Sequence, residues 1–330
     1  MSLVCFTFTK VGFLLNAEVK GNAVSRELRL PLKSWKVRMP DIITVGNEKG
    51  GVGKTTTVVN LAAAFANMGK RVLVVDNDPQ GNATELLGVE RGVVGEKSLA
   101  QAIFDRQPFD EYRWVTNMEG VDLLAGTPLL KSVIREFGHT HRQDKLLRKV
   151  FETKTLNDYE IVLIDTHGAG DCLLLSALAD SDYYVIPVFA EPESARGLLD
   201  LLKSTVELRE EVNPSLTLLG VVITKFDKRN GTHQEFAETI REIGKSTKVR
   251  VFANTIPISN SVPAASKKQV SLIEYRRDLP ISQAYIALAG EMAPLLGKKR
   301  PGRPSVPDVV GFGRHVEEIE EILADLPSGE

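Results

Sequence analysis

From residue 41 onward, short apolar runs alternate with longer stretches in which apolar residues recur every three or four positions. The runs DIITVG (41–46), RVLVVD (71–76), VDLLAG (121–126), EIVLID (160–165), DYYVIPV (182–188), LTLLGVVIT (216–224) and VRVFAN (249–254) predict strands. Residues 54–68, 129–153, 172–180, 193–210, 233–244 and 280–296 predict helices. Such alternation predicts an α/β fold, a doubly wound, mainly parallel sheet with helices on both faces and right-handed crossovers. Ligands of these sheets bind at the carboxyl ends of the strands.

The pattern changes at both ends. Residues 1–40 carry alternating apolar positions and then the basic stretch RELRLPLKSWKVR, and are short for an independent domain. They read as an N-terminal extension, or as upstream sequence ahead of a start at Met39. Residues 41–296 form the central domain. Residues 297–330 hold the basic, proline-rich linker GKKRPGRPSVP and a short acidic amphipathic helix, HVEEIEEILADL, with Val316, Ile319, Ile322 and Leu323 on one face. KKRPGRP (298–304) resembles a minor-groove AT-hook, although a basic linker is the plainer reading.

Composition narrows the function classes. The 41 Lys and Arg nearly balance 43 Asp and Glu, so a nucleic-acid surface must be a local patch. Cys5 and Cys172 share no metal-ligand spacing, and a reducing compartment fits. No apolar run approaches the roughly 18–20 residues of a membrane span. A cytoplasmic protein is expected.

The chemistry concentrates in VGNEKGGVGKTTTVVN (45–60). Gly50, Gly51 and Gly53 let the backbone turn so that its N–H groups, with that of Val52, surround phosphate oxygens. The N-terminus of helix 54–68 adds its dipole at the same point. Lys54 is expected along the β- and γ-phosphates, Thr55 on a magnesium ion and Thr56 on the α-phosphate.

With Lys49 ahead of the paired glycines, the pattern Lys49-Gly50-Gly51-Val52-Gly53-Lys54-Thr55 resembles the deviant phosphate loop of the ParA/MinD family of ATPases. The resemblance covers roughly residues 41–295 and continues in VLVVDNDPQGNATELLG. It implies ATP and Mg2+ as cofactors and an ATP-dependent homodimer, in which Lys49 crosses to the partner's phosphates. It implies that Asp76 and Asp78 face the phosphates, with Asp78 orienting or activating the attacking water. In YEIVLIDTHGAGD it makes Asp165 the residue that holds magnesium through water. There the family usually reads DTPP, and His167 and Gly168 depart from it. PVFAEPESARGLLDLL (187–202) resembles the family's segment whose helix contributes to the dimer interface.

Two short matches point to GTP instead. DTHG fits Asp-x-x-Gly and TKFD (224–227) fits the guanine-reading Thr-Lys-x-Asp of signal-recognition-type GTPases, but these lack the Lys49 and DPQGNAT features. For the output of the switch, a MinD-like membrane helix is disfavoured by Glu317, Glu318, Glu320, Glu321 and Asp325. Nonspecific binding of double-stranded DNA remains, with Arg241, Lys245, Lys248, Arg250, Lys267, Lys268, Arg276 and Arg277 as candidates. IPISNS stands where the family commonly reads IPRxxR, so Ile258 and Ser261 replace two basic residues. The resemblance thus implies plasmid or chromosome partition on the nucleoid, with hydrolysis stimulated by a ParB-like adaptor. The alternative within the family is positioning of a protein complex.

Overall fold

The computed structural model describes residues 39–297 and, ahead of them, the backbone of four short strands. The chain separates into two units, Met1–Arg38 and Met39–Glu330. In the first, β1 (Cys5–Thr9) pairs antiparallel with β2 (Gly12–Asn16), and β3 (Glu18–Val19) with β4 (Asn22–Ala23). The linker expected after Gly297, its AT-hook-like segment and the acidic helix lie outside the described residues.

The second unit is built on seven strands: β5 (Asp41–Val45), β6 (Val72–Asn77), β7 (Arg113–Val115), β8 (Val121–Leu124), β9 (Ile161–Thr166), β10 (Tyr183–Phe189) and β11 (Thr217–Thr224). Their order is β11-β10-β5-β9-β6-β8-β7, and only β7 runs antiparallel. The chain winds outward from β5 in both directions, which places the crevice for a ligand at the carboxyl end of that strand.

Around the sheet lie α1 (Lys54–Asn67), α2 (Asn82–Leu86), α3 (Arg91–Val94), α4 (Leu99–Asp105), α5 (Leu130–Phe137), α6 (Leu146–Val150) and α7 (Cys172–Ala179). They are followed by α8 (Pro192–Glu211), α9 (Gly231–Ser246), α10 (Ser261–Lys267), α11 (Leu272–Tyr275) and α12 (Pro280–Met292). Because successive strand residues point to opposite faces, each central strand supplies two layers. Ile43, Val45, Val72, Val74 and Leu163 pack with α1, α11 and α12. Ile42, Leu73, Val75 and Ile164 pack with α4 to α7, while Tyr184, Ile186, Val221 and Ile223 pack with α7 to α9. This two-sided cover explains why β6 and β9 are buried at every position.

Three expectations need correction. Residues 249–254 make only an isolated bridge, Val221–Val251, with β11. The backbone N–H groups of Ala253 and Asn254 donate to the Glu291 carboxylate of α12 at 2.9 Å, so the ladder cannot continue. The helix expected over 129–153 divides into α5 and α6, with a segment of turns between them. The final helix stops at Met292 and passes into a 3-10 turn, Ala293–Leu295, around Pro294.

Candidate nucleotide-binding site

Register brings the site together. Asp165 of β9 lies opposite both Val45 of β5 and Asp76 of β6, so two carboxylates flank the start of the phosphate loop. The loop runs from Gly46 to Gly53, with Gly51 and Gly53 at φ 75° and 86°, values open to glycine. Helix α1 then begins with no side-chain cap and no acidic residue in its first turn. A 14-residue helix would ordinarily satisfy these N–H groups with a Ser or Asp cap. Here they are left for an anion, at the positive end of the helix dipole.

Lys54 is buried, and its Nζ donates to the carbonyls of Asn47 and Lys49, both at 2.9 Å. Burial lowers its pKa, and the charges of Asp165 and Asp78 work against that shift. Three other strands brace the loop. Asn47 Nδ2 donates to Pro187 O at 2.8 Å, and Lys49 N donates to Asn47 Oδ1 at 2.9 Å. Thr224 Oγ1 donates to Val52 O at 2.7 Å. The third brace is Gly168, where an added Cβ would stand 2.9 Å from Glu48 O and 3.4 Å from Lys54 Nζ. The departure from DTPP therefore has a steric sense, since glycine lets this loop lie against the phosphate loop. His167 Nε2 lies 2.9 Å from Asp171 Oδ2, and Asp171 Oδ1 caps α7 by accepting from Leu173 N. His167 Nδ1 is buried without a partner.

The three aspartates differ in their surroundings. Asp76 is fully buried and its Oδ2 accepts from Thr84 N at 2.7 Å and Thr84 Oγ1 at 2.6 Å. Burial raises its pKa to about 6, against the Thr84 bonds. Its carboxylate also shapes the loop leading into α2 through these Thr84 bonds. Asp78 is nearly buried, with Oδ1 held by Gln80 N at 2.8 Å. Asp165 is fully buried and neither of its oxygens has a hydrogen-bond partner. Burial, then the Asp76 charge, push its pKa well above the usual carboxylate range, and Thr55 and Lys54 oppose them.

An orphaned buried carboxylate beside a threonine hydroxyl fits a magnesium ion, which takes one or two protein oxygens and completes its shell with water and phosphate. No larger group of His, Cys, Asp and Glu suited to a metal occurs among the described residues. Thr55 and Thr56 occupy the first turn of α1 and are partly exposed.

Lys49 stands apart. It does not turn toward the loop it precedes; its Nζ pairs with Glu191, just ahead of α8, and with Glu193 in the first turn of that helix, the latter at 3.0 Å. Burial acts to lower its pKa, but the two glutamates prevail and hold it above the ordinary lysine value. Sequence reasoning missed these partners, and also Lys225, whose Nζ would lie 4.0 Å from a Cβ on Gly51. The signal for Lys225 was present in TKFD, but as a base-reading motif. Asp227 of that motif is engaged by Arg229, through Nε to Oδ1 and Nη2 to Oδ2, both at 3.1 Å.

The eight basic candidates fall into two groups. Arg241 and Lys245 of α9 line one open groove with Lys248 and Arg250, about 540 Å3 in volume. Lys267, Lys268, Arg276 and Arg277 lie on or beside α10 and α11, where Lys268 Nζ sits 5.1 Å over the Tyr275 ring and Arg276 pairs with Asp278. No helix among the described residues is long and apolar enough to cross a membrane.

Residues 40–218 match the model of a family described as an AAA domain. The chromosome-partitioning ATPase Soj of Thermus thermophilus is 36% identical over 253 residues, 76% of this chain and 94% of that protein. The sporulation initiation inhibitor protein Soj of Bacillus subtilis is 34% identical over 255 residues, 77% of this chain and 99% of that protein. Among solved structures, cobyrinic acid a,c-diamide synthase of Mycobacterium smegmatis with bound ADP and magnesium superposes with a TM-score of 0.64 at 26% identity, covering 76% of this chain and 93% of that one. The uncapped helix, the two-lysine loop and these relatives agree: the chain belongs to the ParA/Soj family of P-loop ATPases.

Proposed function

We infer that this chain is a partition ATPase that hydrolyses ATP with magnesium, pairs two subunits around the nucleotide, and as a dimer holds double-stranded DNA without sequence preference. The observation that carries the reading is the open N-terminus of α1, with the buried Lys54 amine beside it and the unpartnered Asp165 carboxylate behind it. Backbone N–H groups of Gly50 to Gly53 receive phosphate oxygens, and Lys54 follows the β- and γ-phosphates. Thr55 and Asp165 would hold magnesium, which would supply charge neutralisation at the phosphates. Asp78, with Oδ1 fixed by Gln80 N, orients the attacking water. Lys49 of each subunit reaches the partner's phosphates, as an arginine finger does in trans.

ATP is favoured over GTP because Arg229 engages both oxygens of Asp227, the carboxylate a guanine would need. Arg241, Lys245, Lys248 and Arg250 form the DNA patch, which dimerisation doubles. A ParB-like adaptor stimulates hydrolysis and releases the DNA, and the cycle moves a plasmid or chromosome over the nucleoid in the cytoplasm. Retention on DNA measured with ATP, ADP and GTP tests this. Retention should require ATP and decline steeply with salt; equal retention without nucleotide, or with GTP, would overturn it.

A further inference from the structure

Among the described residues, four other than glycine hold a left-handed backbone: Arg106, Lys225, Lys248 and Gln269, with φ between 50° and 56°. Three of them end helices, where that conformation is ordinary. Arg106 caps α4, and Lys248 and Gln269 stand one residue past the C-caps of α9 and α10. Lys225 differs, because it follows a strand, β11. A left-handed residue that carries a side chain is strained there.

Such strain persists only where neighbouring contacts over-determine the backbone. On one side of Lys225, Thr224 Oγ1 is shared between Val52 O of the phosphate loop at 2.7 Å and Val188 O of β10 at 3.0 Å. On the other, Phe226 N donates to Ile256 O at 2.9 Å and Ile258 N donates to Phe226 O at 3.1 Å. Asp227 N donates to His233 Nδ1 at 3.0 Å.

Held in this way, the end of β11 lies along the phosphate loop. A Cβ built on Gly53 would stand 4.0 Å from Thr224 Cβ, and one on Gly51 would stand 4.0 Å from Lys225 Nζ. Lys225 is exposed, and among the described residues no carboxylate lies within ion-pair distance of it. The acids of the site, Asp78 and Asp165, act on Lys54. The loop already carries the Lys54 ammonium and the positive end of α1, which repel a further unpaired cation. Backbone strain and like charge both oppose this placement, and an anion entering the loop turns the second into an attraction.

We propose that Lys225 is a nucleotide-binding residue whose amine contacts the α- and β-phosphates of the nucleotide held by its own subunit. On the ATPase reading above, on which this assignment rests, the N–H groups of the loop cradle those two phosphates. Gly51 belongs to the cradle and has no side chain to keep Lys225 from it. Lys49 is turned to Glu191 and Glu193, so Lys225 is the second cation that a single subunit can bring to its own nucleotide. Both phosphates are present in ADP, so the contact needs neither a γ-phosphate nor a partner.

Calorimetric titration of the full chain with ADP and magnesium, at concentrations where it is monomeric, tests this. At low salt Lys225→Met and Lys225→Gly should each weaken ADP binding roughly tenfold, the loss of one charged hydrogen bond. Lys225→Arg should keep most of the affinity. Lys228→Met, an equal change of charge in the following turn, should leave it unaltered. The deficit should shrink at high salt, which screens a contact between exposed charges. Without nucleotide, Lys225→Gly should favour the native state by about fivefold, read as a higher urea midpoint, because glycine adopts this conformation freely. Lys225→Met should bring no such rise, and equal midpoints for the two variants would reject the assignment, because the strain would be absent. Unchanged ADP affinity in both variants rejects it too and leaves the ATPase reading intact. A deficit undiminished by salt puts Lys225 on the base or ribose, and one seen only with ATP in a dimer puts it on the partner's nucleotide; each is a rejection. If the unaltered chain bound neither ADP nor ATP, the ATPase reading would fall and this contact with it.

Discussion

Releasing Lys49 from its own subunit should tighten the dimer. Lys49 is held by Glu191 and Glu193, yet the reading above requires it to reach the phosphates of a partner. Each subunit must therefore break this contact when two of them join. The Glu193 carboxylate is largely exposed, 83% on its side chain, so its bond contributes little in water. Glu191 is 27% exposed and is the main restraint, and a pair of that kind stabilises by about 1 kcal/mol. Two subunits lose it together, about 2 kcal/mol in all, which corresponds to roughly thirtyfold in the dimer dissociation constant. The Glu191→Gln variant, compared with the unaltered chain by analytical ultracentrifugation with a slowly hydrolysed ATP analogue and magnesium, should dimerise at roughly thirtyfold lower concentration. Glu193→Gln alone should shift it by no more than a few-fold. A weaker dimer in Glu191→Gln would refute the reasoning, because Glu191 would then act across the interface. An unchanged dimer would show that the Lys49 contact does not oppose association.

Other outcomes follow from the same geometry. Lys54→Ala should abolish nucleotide binding, measured by titration calorimetry, because no other described ammonium is buried in the loop. Asp78→Ala should bind ATP with the unaltered affinity but hydrolyse it at least about a hundredfold more slowly, as loss of an oriented water implies; normal turnover would remove its role. Without nucleotide, stability should fall as pH rises from about 4 through 6, because Asp76 has a folded pKa near 6 against an ordinary 3.8 and prefers to be protonated in the folded state. That difference is on the order of 3 kcal/mol if the group acted alone, and Asp76→Asn should flatten the profile of urea midpoints. In the Lys245→Ala/Arg250→Ala variant, the slope of log affinity for DNA against log salt should shrink by about 2, without any change in sequence preference.

The sheet and the phosphate loop were legible because both rest on local pattern. Strand β5 is followed by glycines at left-handed angles, and α1 starts with no cap, a departure from ordinary helix chemistry that marks a ligand. The carboxyl ends of β6 and β9 were placed well enough to name Asp78 and Asp165. Where the reading fell short, the deciding contact is remote in sequence. Glu291 of α12 takes the N–H groups that would have made 249–254 a strand. Strand β7 and helix α4 are too short to show a period, and α4 takes its position from burial of Leu99, Ala102 and Ile103. Thr84, which bonds the Asp76 carboxylate, is only eight residues on, but nothing in NDPQGNAT tells which carboxylate it will bond.

The bracing of the loop shows why a phosphate site can govern distant surfaces here. Asn47 ties the loop to β10, Thr224 ties it to β11, and Gly168 brings the loop after β9 against Glu48 and Lys54. Each of these strands then continues into a different outer element. Strand β10 leads to Glu191 and α8, β11 leads to Lys225 and on to α9 with its basic groove, and β9 leads through His167 and Asp171 to α7. A phosphate entering among the N–H groups of Gly50 to Gly53 competes with nothing in the loop itself, because Lys54 already holds its carbonyls. On the proposed function, what would change is the set of charges around it: the Asp165 carboxylate would gain a cation, and Lys49 an alternative to Glu191. Both changes act on groups joined to the outer helices by one or two covalent or hydrogen-bonded steps. On the proposed function, coupling of nucleotide to dimer and DNA would need no long relay, only that these few charges have two arrangements of similar free energy.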